Sequence, residues 1–152
     1  MRLKLDYDAP YWNAYSIARR WRFVRRAMRE NGIKVSNLTS YKSSSGHGWH
    51  VEGDCSIGTS LAMTTLQAAL GSDPRREINN IGRSRLKMYR NGAWNRLWNA
   101  KWKKVRGEWT EYPRTRDDRL AKRLLNVIDE TRAQSRAMDA HPSILSLPSR
   151  NR

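Results

Sequence analysis

Asp6, Asp8 and His50 are the two acids and the imidazole of this sequence best suited to hold a metal ion or a phosphate. Leu3, Leu5 and Tyr7 alternate with Lys4, Asp6 and Asp8, so a short strand over Arg2–Asp8 turns both carboxylates to one face. Two carboxylates so placed repel unless a cation lies between them. Hard oxygen ligands of this kind suit Mg²⁺ or Mn²⁺, with substrate phosphates completing the shell. Farther on, Ser43 to Gly48 form a Ser/Gly-rich turn that runs into a second alternating segment, Trp49 to Asp54. Trp49 and Val51 take one face there, and His50 and Glu52 the other. Backbone amides of such a turn can approach a phosphate closely, and Ser45, Gly46, Gly48 and His50 are the candidate phosphate contacts. Glu52, on the face of His50, is a further candidate metal ligand.

Several elements must position these residues. Asp8-Ala9-Pro10 reads as a helix start with Asp8 as cap. A helix over Tyr11–Glu30 then carries Ala14, Ile17, Trp21, Val24 and Met28 on one stripe, with arginines from Arg19 to Arg29 around the rest. Asn31-Gly32 stops it. Ile33–Lys42 reads as a strand that pairs with Trp49–Asp54 across the turn. Thr59-Ser60 caps a helix ending at Gly71, and Asp73-Pro74 opens another through Ile78, Ile81 and Met88, ending near Asn91-Gly92. Trp94–Val105 fits both periods; it is assigned as a fourth strand because the order of elements wants one. Thr115-Arg116-Asp117-Asp118 resembles a capping box before an amphipathic helix that reaches about Met138.

The order is β-α-β-β-α-β with a terminal helix. This predicts an α+β, ferredoxin-like or RRM-like sheet, with one face covered by helices and the other open. One domain spans residues 1–138, and 139–152 form a flexible tail. In that topology the first strand lies between the third and fourth and is antiparallel to the third. Asp6, Asp8 and His50 then meet on the open face beneath the Ser43–Gly48 turn.

This pattern resembles the archaeo-eukaryotic primase superfamily. Leu3-Lys4-Leu5-Asp6-Tyr7-Asp8 is similar to the family's first motif, a strand ending in Asp-x-Asp. Ser45-Gly46-His47-Gly48-Trp49-His50 is similar to its second. The resemblance implies that Asp6 and Asp8 bind metal and that Ser45 and His50 contact the phosphates of a nucleoside triphosphate. It covers the first third of the chain and the order of elements beyond. The family's third motif, an acid on a later strand, has no counterpart in Trp94–Val105, which lacks Asp and Glu. Small proteins of this type are common on phages and mobile elements.

Charge points to the same class of partner. The chain carries 30 Lys+Arg against 14 Asp+Glu, a formal charge of +16, which suits a polyanion. Arg83, Arg85, Arg90, Arg96, Lys101, Lys103 and Lys104 lie among Trp94, Trp98 and Trp102 and form the candidate nucleic-acid groove, with DNA preferred over RNA. One cysteine allows no internal disulfide. The N-terminus has no signal-peptide core, and no apolar run is long enough to span a bilayer. The expectation is a soluble cytoplasmic protein with no membrane partner and with a possible partner among replication proteins. Two functions follow from these features. One is a primase-like domain with metal-dependent nucleotidyl transfer. The other is a non-catalytic binder of single strands, a replication accessory or regulator. A rolling-circle nickase does not fit, because His47 and His50 are three residues apart rather than alternating on one strand face.

Overall fold

The computed structural model describes residues 1–8, 12–43, 47–86, 93–97 and 100–139. It is a mixed α+β fold. In chain order the elements are β1 (Arg2–Tyr7), α1 (Ala14–Glu30), β2 (Val35–Lys42), β3 (Trp49–Cys55), α2 (Ser60–Ala69), α3 (Pro74–Ser84), β4 (Ala100–Val105), β5 (Glu108–Pro113), β6 (Thr115–Arg116) and α4 (Arg119–Asp139). The main sheet has the order β1-β3-β2-β6, antiparallel throughout, and β4 and β5 form a separate two-stranded ribbon. Among the described residues no helix is long and apolar enough to cross a membrane.

The alternating residues set the layers. Leu3, Leu5 and Tyr7 of β1 and Trp49 and Val51 of β3 are buried against Ile17, Ala18, Trp21, Val24 and Met28 of α1. Met63, Leu66 and Leu70 at α2 and Leu120, Leu124 and Val127 of α4 complete the same core. Trp94 packs there too, as a core residue. Two polar links fix the layers in register. The Trp21 indole donates to the Tyr7 hydroxyl (2.8 Å), which donates to the Leu70 carbonyl (3.1 Å). Burial of that phenol pushes its pKa up.

The expected pairing of β1 with β3 is present, with Asp6 opposite His50 and Tyr7 opposite Trp49. The ferredoxin-like strand order is not. Among the described residues no fourth strand joins β1; the short β6 joins β2 at the opposite edge instead. The outward backbone groups of β1 are met by other partners. Lys4 N–H donates to Gln67 Oε1 (3.0 Å), Asp6 N–H to Ser72 Oγ (3.1 Å), and Asn95 Nδ2 to the Arg2 carbonyl (2.8 Å). The backbone N–H of Asp73 donates to the Asp6 carbonyl (2.9 Å). Side chains from the α2–α3 corner and one loop asparagine thus do the work of a neighbouring strand, and the edge has no need of one.

These side chains belong to a buried polar cluster. Glu77, 3% exposed, accepts from Gln67 Nε2 (2.7 Å), Ser72 Oγ (2.7 Å) and Asn80 Nδ2 (3.2 Å) and pairs with Arg76. Arg76 also donates to Asn95 Oδ1 (2.8 Å) and the Arg96 carbonyl (2.7 Å). Helix α3 therefore turns Arg76, Glu77 and Asn80 inward and leaves Ile78 68% exposed.

Other boundaries also differ from expectation. Asp8 does not cap α1. Asn13 does, accepting from the N–H groups of Tyr15 and Ser16, while Ser16 Oγ returns the contact to the Asn13 N–H. Helix α3 ends at Ser84, and the strand expected from Trp94 begins only at Ala100 and pairs with β5. Thr115 and Arg116 are strand rather than cap; Asp117 Oδ1 accepts from Arg119 N–H (3.2 Å) where α4 opens. Thr59 and Asp73 do cap α2 and α3 as expected. Of the expected tail, 140–152 lies outside the described residues.

Candidate nucleotide site on the second sheet face

The sheet face opposite the helices is polar because the same alternation that buries Leu5 and Val51 sends their neighbours the other way. Asp6 of β1, His50 of β3 and Tyr41 of β2 stand in one row across three strands, and Lys4, Glu52 and Thr39 in the next. His50 Nε2 lies 3.3 Å from Asp6 Oδ1, without the alignment of a hydrogen bond. The juxtaposition expected from the two motifs is therefore present for Asp6 and His50. Asp8 lies just beyond the end of β1 and is exposed.

This face is less open than the topology predicts. His50 is only 7% exposed. Arg114, from the short link between β5 and β6, crosses the face with its guanidinium 3.8 Å from the centre of the Tyr41 ring. Its Nη2 lies 2.6 Å from Glu52 Oε1, and Arg2 lies 3.8 Å from Glu52 Oε2. Glu52 is thus held by two arginines rather than directed to a cation beside Asp6. Nothing in the sequence marks Arg114 for this place. A single arginine after a proline has no period and no spacing to mark it.

Asp73 is the second residue that sequence reasoning passed over. It was expected only as a helix cap, and its carboxylate does accept from Arg75 N–H (2.9 Å). Its backbone also joins β1 at Asp6, which brings a third carboxylate into the field of the other two. Desolvation pushes the Asp8 pKa up, and the charges of Asp6 and Asp73 push it further, against the pull of His50. Among the described residues no group of three His, Cys, Asp or Glu side chains is arranged to hold a metal ion. Asp6, Asp8 and Asp73 form an acidic border rather than a closed cage. The residues nevertheless fit a cation shared with phosphate oxygens: Asp6 Oδ1 is buried with no hydrogen-bond partner among the described residues, and the nearby donors are hard oxygens.

The repulsion around Asp8 can be read thermodynamically. A carboxyl whose pKa is raised by folding favours the folded state when protonated and costs stability once ionised. That cost grows as pH rises from the ordinary carboxylate range through the folded pKa. Asp8→Asn should therefore raise Tm at pH 7, with the difference fading as the pH falls below the ordinary carboxylate value. Thermal melts of the two proteins across pH check this. Equal Tm values at neutral pH would mean that Asp8 feels no such field.

The turn before β3 is held shut at its base. Ser43 N–H donates to the Gly48 carbonyl (3.0 Å), and Gly48 N–H to Ser43 Oγ (2.9 Å). A Cβ at Gly48 would lie 2.8 Å from the Tyr7 carbonyl oxygen, so the close approach of this turn to the end of β1 requires glycine. Ser45 and Gly46 lie outside the described residues. Lys42 places its ammonium 3.7 Å from the Trp49 ring centre, on the helix side of the same hairpin.

The basic candidates are dispersed. Arg83 and Arg85 lie at the end of α3, where Arg83 donates to Asn80 Oδ1 (3.2 Å). Arg96 and Lys104 are exposed. Arg90 and the side chains of Lys101 and Lys103 lie outside the described residues. Comparison with family models, with curated proteins and with solved structures gave no match for this chain.

Proposed function

We propose that this chain is a primase-like nucleic-acid-binding domain that holds a nucleoside triphosphate on the second sheet face and transfers a nucleotidyl group there. The observation that carries the reading is the distribution of unmet polar atoms. The buried side-chain atoms without a hydrogen-bond partner among the described residues are Asp6 Oδ1, Thr39 Oγ1, His50 Nδ1 and Arg114 Nη1. All four belong to residues on, or lying across, one face of one sheet. Buried polar groups are rarely left unpaired, and a cluster of them marks a surface shaped for a ligand.

The assignments follow from chemistry. Asp6 and Asp8 hold Mg²⁺ or Mn²⁺ together with the triphosphate. When bound, the ion lowers the charge on the phosphates and favours attack by a hydroxyl. His50 and Arg114 meet phosphate oxygens. In the transfer, a terminal hydroxyl attacks the α-phosphorus. One P–O bond forms, the bond to pyrophosphate breaks, and the hydroxyl proton passes to solvent or a nearby carboxylate. A partner among replication proteins and a phage or mobile-element origin remain part of this proposal.

A second reading, a non-catalytic binder of single strands, is favoured by the commitment of Glu52 to Arg114 and Arg2, which removes one candidate acid. Incubating the intact chain with a DNA template, nucleoside triphosphates and Mn²⁺ separates the two. Elongated product that disappears in Asp6→Asn/Asp8→Asn supports transfer. No product, with salt-dependent strand binding retained by both proteins, leaves the second reading. No strand binding at low salt removes both.

A further inference from the structure

We infer that the β4–β5 ribbon is an arm for single-stranded nucleic acid, with Trp109 as the platform on which a base stacks. The inference rests on the reading of this chain as a nucleic-acid protein and adds where and how a strand is gripped. Among the described residues β4 and β5 hydrogen-bond only to each other, apart from the main sheet. The tip is a two-residue turn, Arg106-Gly107, with φ of 51° and 90°, the left-handed pair whose twist suits a tight hairpin. Every residue of β5 is exposed.

What this ribbon exposes is not what a solvated hairpin needs. Trp109 is 67% exposed and Tyr112 40% exposed. Lys104 stands opposite Trp109 in the ladder, so a cation flanks the indole on the same face. From Lys101 to Arg116 the sequence has six basic residues and two glutamates. Flat aromatic surface edged by positive charge is complementary to a base with its phosphate. In a closed duplex the base faces are already stacked on each other and unavailable, so the exposed indole favours a single strand. The root of the ribbon leads through Arg114 to Tyr41 and hence to the row that contains His50 and Asp6. A strand held along β5 would thus run toward the site on the sheet.

The test uses the intact chain, a fluorescein-labelled oligothymidylate, and the same strand annealed to oligoadenylate. Trp109→Ala should weaken single-strand binding by about tenfold, and Trp109→Phe, which keeps a stacking ring, should restore most of it. Duplex binding should change much less, and Tm should not change. Lys104→Ala should reduce the slope of log affinity against log salt by about one. Single-strand binding by Trp109→Ala equal to wild type, or an equal loss on duplex and single strand, would overturn the proposal. Product formation indifferent to Trp109 removes the ribbon role alone; absent product with Trp109-dependent binding removes the transfer reading alone.

Discussion

Glu77→Ala should destabilise the protein by about 3–5 kcal/mol, the usual cost of removing one partner of a buried ion pair. The reason lies in what the substitution would leave behind. Arg76 is 8% exposed and would keep its charge with its nearest counter-ion gone. Burial already pulls the guanidinium pKa down, and Glu77 is the strongest influence holding it up. Gln67 Nε2 and Ser72 Oγ, each 2.7 Å from a Glu77 oxygen, would lose their acceptor as well. The same two residues accept the outward N–H groups of β1, so the damage reaches the strand that carries Asp6. Urea unfolding should show the midpoint falling sharply for Glu77→Ala and scarcely moving for Glu30→Ala. Glu30 is also paired with an arginine, Arg26 at 2.7 Å, but in an exposed i,i+4 contact. A Glu77→Ala midpoint close to wild type would mean that the cluster is hydrated and its partners are interchangeable.

Gly48→Ala should do more to the site than its single methyl group suggests. The new Cβ would lie 2.8 Å from the Tyr7 carbonyl oxygen, and the obstacle is backbone, which cannot swing aside. Relief requires the start of β3 to move away from the end of β1, where Asp6 faces His50 one pair farther along. Overpacking of this kind costs about 1–3 kcal/mol. If the triphosphate is held by that row, nucleotide affinity should fall by at least about tenfold, which is only about 1.4 kcal/mol of misplacement. Gly82→Ala is the matched control. Nothing lies within 4 Å of the added atom in α3, and removing a helical glycine gains at most about 1 kcal/mol. Isothermal titration with a nucleoside triphosphate and Mn²⁺, beside urea unfolding, reads both. Unchanged affinity in Gly48→Ala would detach the turn from the proposed site.

Elements whose cause is local were legible in the sequence. The alternation of Leu3, Leu5 and Tyr7 and of Trp49 and Val51 predicted which faces of β1 and β3 are buried, and their antiparallel contact followed from the order of elements. The stripe Ile17, Trp21, Val24 and Met28 and the caps Thr59 and Asp73 were equally plain. What could not be read is held by contacts between distant residues. Nothing near Asn95 announces that it hydrogen-bonds to Arg2, 93 positions earlier, yet that contact and those from Gln67 and Ser72 complete the edge where a fourth strand was expected. Helix α3 misled for a related reason. Its apolar residue Ile78 faces out because the edge of β1 needs hydrogen bonds more than it needs carbon.

The site shows the same division. Asp6 and His50 were brought together by topology alone, whereas Asp73 looked like a cap and is also a charge beside Asp8. Arg114 owes its position to the β5–β6 link, and β5 itself escaped notice because Glu108–Pro113 is exposed on both sides and carries no period of burial.

The way the sheet ends at its two flanks limits how another protein can take hold of it. On one flank the outward amides and carbonyls at Arg2, Lys4 and Asp6 are occupied by Asn95, Gln67, Ser72 and Asp73. On the other, the last strand is two residues long. Among the described residues the first flank thus offers no run of free backbone on which a visiting chain could be zipped as an extra strand. An associate that approaches the β1 flank must therefore recognise side chains.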